Sequence, residues 1–395
     1  MSRLDSKGFI KMQGKAMAER NRMGSNVIGI VQPFVPNYRV GLFDAIDEQL
    51  AEHGYKLEVW HASPRGRVAA RGNSAEGRWS VPVAQHRASF GRRNVTFRNI
   101  MGRARRSAAV VAGLASTNLE TYLLALDPQV RLMLWGHGKN YTAGNNAIDG
   151  SIEAWLCKRS HHLFSYTESG KEHLVLRGND PEKVTVVVNT TDTTRLVAAK
   201  ALVSTTESKS IRERFGLGGR FVGLFVGAFD GPKELPFLFE AADKVFSENR
   251  DFVLLLAGAG PDSDLVEKMA SARPYVRLVG RLDTEDLARI STVVDAVLMP
   301  GRIGLVAVDA LALGIPVITT NYPYHAPEAD YLSAGEDSLW TSFSVDSYAA
   351  GIDSLVKDRA RLAALAAGAL DRGREFSAEA SAGRFVNGVL SGLTQ

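Results

Sequence analysis

Residues 295–328, DAVLMPGRIGLVAVDALALGIPVITTNYPYHAPE, constrain the fold more than any other part of this 395-residue chain. Four apolar residues, Ala296–Met299, stand between Asp295 and Pro300, as in a strand buried on both faces. Pro300-Gly301 ends that strand. From Gly304 the apolar positions Leu305, Val306, Val308, Leu311 and Ala312 follow a helical period. Gly314 falls where a helix C-terminus favours a residue able to take positive φ. Residues 316–319 then read as a second strand. Strand, glycine-bearing loop, helix and strand make a βαβ unit, and its loop lies at the carboxyl end of a parallel strand, where open α/β sheets bind ligands. The first helical turn offers the N–H groups of Leu305 and Val306 to an anion. Gly304, lacking a side chain, lets a phosphate come close.

The same alternation extends through both halves of the chain. Strands are expected at 27–31, 57–60, 109–112, 130–134, 162–165 and 184–188, with helices between them. The helix over 40–53 is the clearest, with Leu42, Phe43, Ile46 and Leu50 on one face. A polar stretch over 193–219 separates these from a second set: strands at 221–226, 252–257 and 276–279, with helices over 233–246 and after Gly260. Strands separated by helices in both halves imply two parallel, doubly wound sheets. The expected organisation is a basic mobile tail over 1–25, a first domain over 26–195, a linker over 196–218, a second domain over 219–376 and a last helix over 377–395.

Composition narrows the function classes. An apolar content of 45% suffices for sizeable cores, and no apolar run reaches the roughly 20 residues of a membrane span. The single cysteine, Cys157, excludes an internal disulfide and suits a reducing cytoplasm. The tail carries Lys7, Lys11, Lys15, Arg20 and Arg22 without the apolar core of a signal peptide; a membrane-touching amphipathic helix is the alternative. Net charge is only +4, yet between Arg65 and Arg106 eleven arginines stand with one acid, Glu76. The segment from Arg87 to Arg106 reads either as a solvated face or loop, or as a contact for anionic lipid or a phosphorylated acceptor, at about 1 kcal/mol per basic residue. No nucleic-acid motif accompanies it, so nucleic acid is not an expected partner. The histidines are scattered away from acids at ligand spacing, and no metal site is expected.

From Gly304 onward, GLVAVDALALGIPVITT resembles the signature of retaining GT-B glycosyltransferases of the family-four type (glycosyl transferases group 1), E-G-F-G-L-(x)3-E-A-x-A-x-G-x-P-V. The resemblance implies an α/β GT-B fold, two doubly wound Rossmann-like domains facing a central cleft, with the last helix crossing back to the first domain. It implies that Gly304, Leu305 and Val306 hold the diphosphate of a sugar nucleotide and that Asp309 holds the ribose. Gly301 stands where the family's first motif Glu contacts the sugar, and the loop after Pro300 is about three residues short. Phe225-Val-Gly227 followed by Lys233 resembles the family's G-R-L…K-G, with Ala228 in place of the Arg and Glu234 after the Lys. Lys233 is then a diphosphate ligand, a point charge suited to phosphate oxygens, rather than a surface lysine, and Arg302 restores the missing charge. The segment 256–261 resembles the family's G-x-G-P turn rather than a dinucleotide fingerprint, since Asp262 and Asp264 would set negative charge beside a pyrophosphate.

Further roles follow from the same resemblance. Arg281 lies where the base is held, and Glu328 resembles the Glu of the G-G-x-x-E segment, which shapes the donor loop. His325 reads as structural, and Asn189-Thr-Thr-Asp192 as the architectural end of the first domain. His137, between two glycines after a strand, reaches the donor sugar, or belongs to a surface turn. Asn37, Tyr38 and Arg39 gather acceptor and phosphate contacts, or Arg39 is a surface arginine at a helix start. The implied activity is a metal-independent, retaining transfer from a nucleotide-diphospho-sugar to a glycan or lipid-linked acceptor in cell-surface polysaccharide or glycolipid assembly, without a cofactor. Its place is the cytoplasm, peripheral at the inner face of the membrane. The alternatives are a catalytically weak GT-B subunit supporting a partner enzyme, favoured by Gly301 and Ala228, and a two-domain sugar-nucleotide epimerase, whose own motif is missing.

Overall fold

A computed structural model describes residues 25–64, 74–90, 93–137 and 147–394. The tail expected over 1–25 lies, but for Ser25, outside the described residues, as do Gly138 and Lys139 after His137. The chain forms two compact units: one runs to Val188 and takes up the chain again from Ser381, and the other is Asn189–Ala380.

The first unit holds β1 (Val27–Gln32), β2 (Lys56–His61), β3 (Ser80–Pro82), β4 (Gln85–Phe90), β5 (Arg93–Arg98), β6 (Ala109–Gly113), β7 (Leu132–Gly136), β8 (His162–Ser165) and β9 (Val184–Val186). Seven of them form a parallel sheet in the order β3-β2-β1-β6-β7-β8-β9. Period-two alternation supplies a core on each face. Ala109 and Val111 of β6 pack with the Val40–Glu52 helix and with Phe385, Val386 and Val389 of the last helix, Ala378–Thr394. Val110 and Ala112 pack the other way, with Leu124, Leu156 and Leu174. A sheet covered on both faces is what parallel strands require.

The last helix therefore starts in the second unit and finishes in the core of the first. Ser381 Oγ donates to the Val188 carbonyl at 2.8 Å, and Arg131 donates to the carbonyls of Gly392, at 2.9 Å, and Leu393. Gly388 lets it come close: a Cβ there would stand 2.4 Å from Cε1 of Phe164.

β4 and β5 form an antiparallel hairpin inside the segment read as a basic face or loop. Its arginines are not all solvated. Arg98 and Glu120, 2% and 0% exposed, form a buried ion pair. Arg103 pairs with Glu58 at 3.4 Å and Arg105 with Asp127 at 2.7 Å, so the free basic surface is smaller than the sequence suggests.

The second unit holds β10 (Phe221–Ala228), β11 (Phe252–Ala259), β12 (Val276–Gly280), β13 (Ala296–Met299), β14 (Val317–Thr320) and β15 (Ser338–Thr341), all parallel, in the order β12-β11-β10-β13-β14-β15. Between β13 and β14 runs the Val306–Ala312 helix, closed by Gly314 at φ 65°. The stretch expected as a linker over 196–218 is helical instead, with Thr193–Ala201 and Thr205–Arg214 capped by Asp192 and Ser204. It looked like a linker because the second of these helices buries no residue, so its polar composition reports exposure rather than absence of structure.

Candidate active site

Each sheet reverses its strand order once, between β1 and β6 in the first unit and between β10 and β13 in the second. The loops at such a point splay apart and leave a crevice beyond the strands' carboxyl ends.

In the second unit the loops after β10 and β13 meet there. Lys233 ends a short turn, Gly231–Lys233, and its Nζ donates to the Arg302 carbonyl at 2.6 Å. The Arg302 N–H donates in return to the Pro232 carbonyl at 2.8 Å. Gly301 is buried against the same turn, where a Cβ would stand 2.5 Å from the Pro232 oxygen. No acidic side chain fits at Gly301, which accounts for the motif acid missing at that position. Burial lowers the Lys233 pKa from its ordinary value; Asp230 and Glu328 oppose the shift and Arg302 adds to it. One bond to a carbonyl leaves two of the ammonium's three protons for another acceptor.

Facing this lysine loop in sequence order is the start of the Val306–Ala312 helix. Among the described residues no side chain caps it, so its first N–H groups keep no partner within the helix. A Cβ on Gly304 would meet nothing within 4 Å, so the space before the helix is open. His325 braces the loop: its Nδ1 accepts from the Ile303 N–H at 3.2 Å and its Nε2 lies 2.9 Å from the Thr320 carbonyl. Those partners define a neutral ring with its proton on Nε2. Burial, followed by the neighbouring cations Lys233 and Arg302, lowers its pKa although the Thr320 bond opposes them. His325 is thus a structural brace.

Asp309 lies one turn into that helix. Burial of its carboxyl pushes its pKa up to about 6, while the Thr191 hydroxyl, donating to Oδ1 at 2.6 Å, opposes the rise. Asn189 Nδ2 donates to Oε1 of the buried Glu328 at 2.6 Å, and the Asn189 N–H donates to the Tyr331 hydroxyl at 2.8 Å. The segment read from sequence as architecture therefore holds two of the candidate acids in place. The sequence reading did not connect Asn189 or Thr191 to these acids, because it took the segment as the architectural end of the first domain and both contacts span more than a hundred positions. Arg281 is exposed beyond β12, the edge strand, whose axis lies about 10 Å from β10. It is not brought to the Lys233 group.

In the first unit a cavity of about 370 Å³ opens at the β1–β6 switch point, with Tyr38, Arg39, Trp135, His137 and Tyr166 among its lining residues. Arg39 is buried, not a surface arginine. Its Nη2 donates to the Tyr166 hydroxyl at 2.7 Å and its Nη1 to Gln32 Oε1 at 3.3 Å, with the guanidinium 5.2 Å from the centroid of the Trp135 ring. A cation held among aromatic faces keeps its charge while losing most of its water. His137 is exposed at the rim, 4.9 Å from the Tyr166 ring. Asn37 is exposed and outside the lining. Trp135 and Tyr166 were missed because their apolar flanks read as plain strand and turn.

Residues 220–358 match the family model described as Glycosyl transferases group 1. The second unit belongs to this family. The fold is GT-B: Anabaena Alr3699/HepE, solved in complex with UDP and glucose, superposes with a TM-score of 0.64 at 13% identity, covering 92% of this chain and 99% of that one. The alpha-D-kanosaminyltransferase of Streptomyces kanamyceticus is 28% identical over 114 residues, 27% of this chain and 30% of that protein. The D-inositol 3-phosphate glycosyltransferase of Rhodococcus jostii (strain RHA1) is 28% identical over 246 residues, 58% of this chain and 52% of that protein. The chain thus spans about half or less of the length of the curated relatives it matches. The Lys233 loop, the helix start at Gly304 and Asp309 all fall inside the group 1 match, whereas the cavity around Arg39 and His137 lies outside it. Among the described residues no group of three His, Cys, Asp or Glu could hold a metal ion, and no helix is long and apolar enough to cross a membrane.

Proposed function

We propose that this chain transfers a sugar, with retention, from a nucleotide-diphospho-sugar to a glycan or lipid-linked acceptor in cell-surface polysaccharide or glycolipid assembly. The observation that carries the proposal is the half-buried Lys233 at the β10–β13 switch point, within a group 1 domain whose next loop leads into an uncapped helix. As the glycosidic bond breaks, negative charge grows on the departing β-phosphate and the sugar becomes oxocarbenium-like. In this reading Lys233 and the N–H groups of Gly304, Leu305 and Val306 meet that charge, each well-placed donor contributing roughly 3 kcal/mol. Arg302 supplies a second cation where Ala228 offers none. Asp309 accepts the ribose hydroxyls and Glu328 shapes the loop; Arg281 reaches toward the base from its edge strand. Tyr38, Arg39 and His137 serve the acceptor, with Asn37 at the rim of their cavity. The transfer as proposed needs no metal ion or organic cofactor. The enzyme works in the cytoplasm at the inner face of the membrane, its basic hairpin toward anionic lipid.

A thermal-shift screen against UDP, GDP and ADP tests the nucleotide site, since a ligand at 100 times its Kd stabilises by about 2.7 kcal/mol. One diphosphate is expected to stabilise the wild type, and Lys233→Ala is expected to lose most of that gain while its unliganded melting temperature stays within a few degrees. An unchanged affinity in the variant would remove Lys233 from the site. A second reading, a GT-B subunit that binds nucleotide or glycan to support a partner enzyme, is favoured by the absent acid at Gly301 and by Ala228. Slow hydrolysis of the sugar conjugate without acceptor separates the two: turnover supports the transferase, and binding without turnover the subunit.

A further inference from the structure

Among the described residues Glu234 is the one non-glycine residue with positive φ, 55° with ψ 43°. A residue with a Cβ pays roughly 1–2 kcal/mol for that conformation, so its persistence calls for a reason. Helix capping does not supply one. Glu234 is the N-cap of the Leu235–Glu248 helix, yet its side chain makes no cap hydrogen bond. Asn or Asp would cap better and tolerate the left-handed conformation more readily. Attraction of an acid to the helix dipole would be met equally by Asp. What glutamate adds over aspartate is reach.

That reach has a direction. Glu234 Cγ lies 2.9 Å from the point a Cβ on Gly301 would occupy, so the Glu234 side chain fills the room that Gly301 leaves empty. Glu234 is only partly buried. Tyr322 stands close by, its hydroxyl pKa raised by burial and then by the Glu234 charge, with Arg302 opposing. Next to Lys233 a carboxylate repels a diphosphate. It is, however, an acceptor for hydroxyl groups attached to that diphosphate.

Building on the donor reading above, we propose that Glu234 is a specificity-determining residue whose carboxylate accepts hydrogen bonds from hydroxyls of the transferred sugar, supplied from the loop after β10 where Gly301 cannot supply one. Hydrogen bonds to a charged group correspond to tenfold or more in affinity.

The test compares wild type, Glu234→Gln and Glu234→Gly by calorimetric titration with UDP, GDP and ADP, and with the glucose, N-acetylglucosamine and mannose conjugates of whichever diphosphate binds. Gln keeps the size of the side chain, and Gly adopts the observed φ freely, so both variants are expected to fold. Both are expected to bind the free diphosphate as well as wild type or slightly better, and to bind the preferred conjugate at least tenfold more weakly. Equal changes for conjugate and diphosphate, or none, would overturn the assignment, as would a wild type that binds every conjugate no better than the free diphosphate. A wild type that binds no nucleoside diphosphate sinks the donor reading itself, and this inference with it.

Discussion

At the scale of single residues, Asp309 shows how a site is kept at a cost to the fold. Its carboxyl titrates near 6 rather than at the ordinary 3.8. Across that window the folded chain holds a proton that the unfolded chain has released, so this group makes the fold less stable as pH rises from about 4 to about 6. At neutral pH the penalty is on the order of 3 kcal/mol. Asp309→Asn is therefore expected to melt higher than wild type at pH 8, with the gap closing at pH 4. The same substitution is expected to weaken a ribonucleoside diphosphate more than its 2′,3′-dideoxy analogue, and the ratio of the two cancels the titration of the terminal phosphate. In wild type that ratio should rise with pH through about 6. Thr191→Val removes the hydroxyl that opposes the shift and should move the midpoint upward. Equal losses for both nucleotides would leave Asp309 outside the ribose site. In the sequence, Asp309 stood out through the resemblance of GLVAVDALALGIPV to the family signature, and its helix through the apolar period of its neighbours. Thr191 did not, because it reaches Asp309 across 118 positions and nothing local reports that contact.

Elements were legible where burial imposes a period and illegible where it does not. The four residues of β13 and the glycine closing the following helix stand in the sequence as apolar run and left-handed cap. The β4–β5 hairpin carried no such signal: its arginines mask one strand that pairs inward and one face that does not. Arg98 belongs to the interior, and Arg98→Gln, which leaves the buried Glu120 carboxylate without its partner, is expected to cost 3–5 kcal/mol or so in urea unfolding. Arg87 is exposed. Arg87→Gln should leave stability within about 0.5 kcal/mol, as surface substitutions do. It should also weaken co-sedimentation with phosphatidylserine vesicles at low salt, by about 1 kcal/mol per charge, with the difference vanishing at high salt. Identical binding by both proteins would mark the hairpin as a solvated face.

At the scale of the whole molecule, the return of the chain makes the two units unequal in their independence. The second unit is continuous, Asn189–Ala380, with all six strands supplied from within. The first is closed by a helix that arrives after the second is complete. Ala382, Phe385, Val386 and Val389 are at most 2% exposed in its core, and the Phe385 ring stacks on Phe164 at 4.8 Å. Losing one such aromatic from a core typically costs 3–5 kcal/mol, and removing the helix takes all four residues at once, against a total stability of only about 5–15 kcal/mol. A chain ending at Ala380 is therefore expected to keep a folded second unit and to lose the first. In practice it should show one melting transition where the full chain has the signal of two units, retain diphosphate-dependent stabilisation if the nucleotide site is as proposed, and be cleaved by protease within the first unit. A truncated chain whose first unit resists protease as well as the full chain's would show that the strands and the Val40–Glu52 helix suffice for that core without the returning helix.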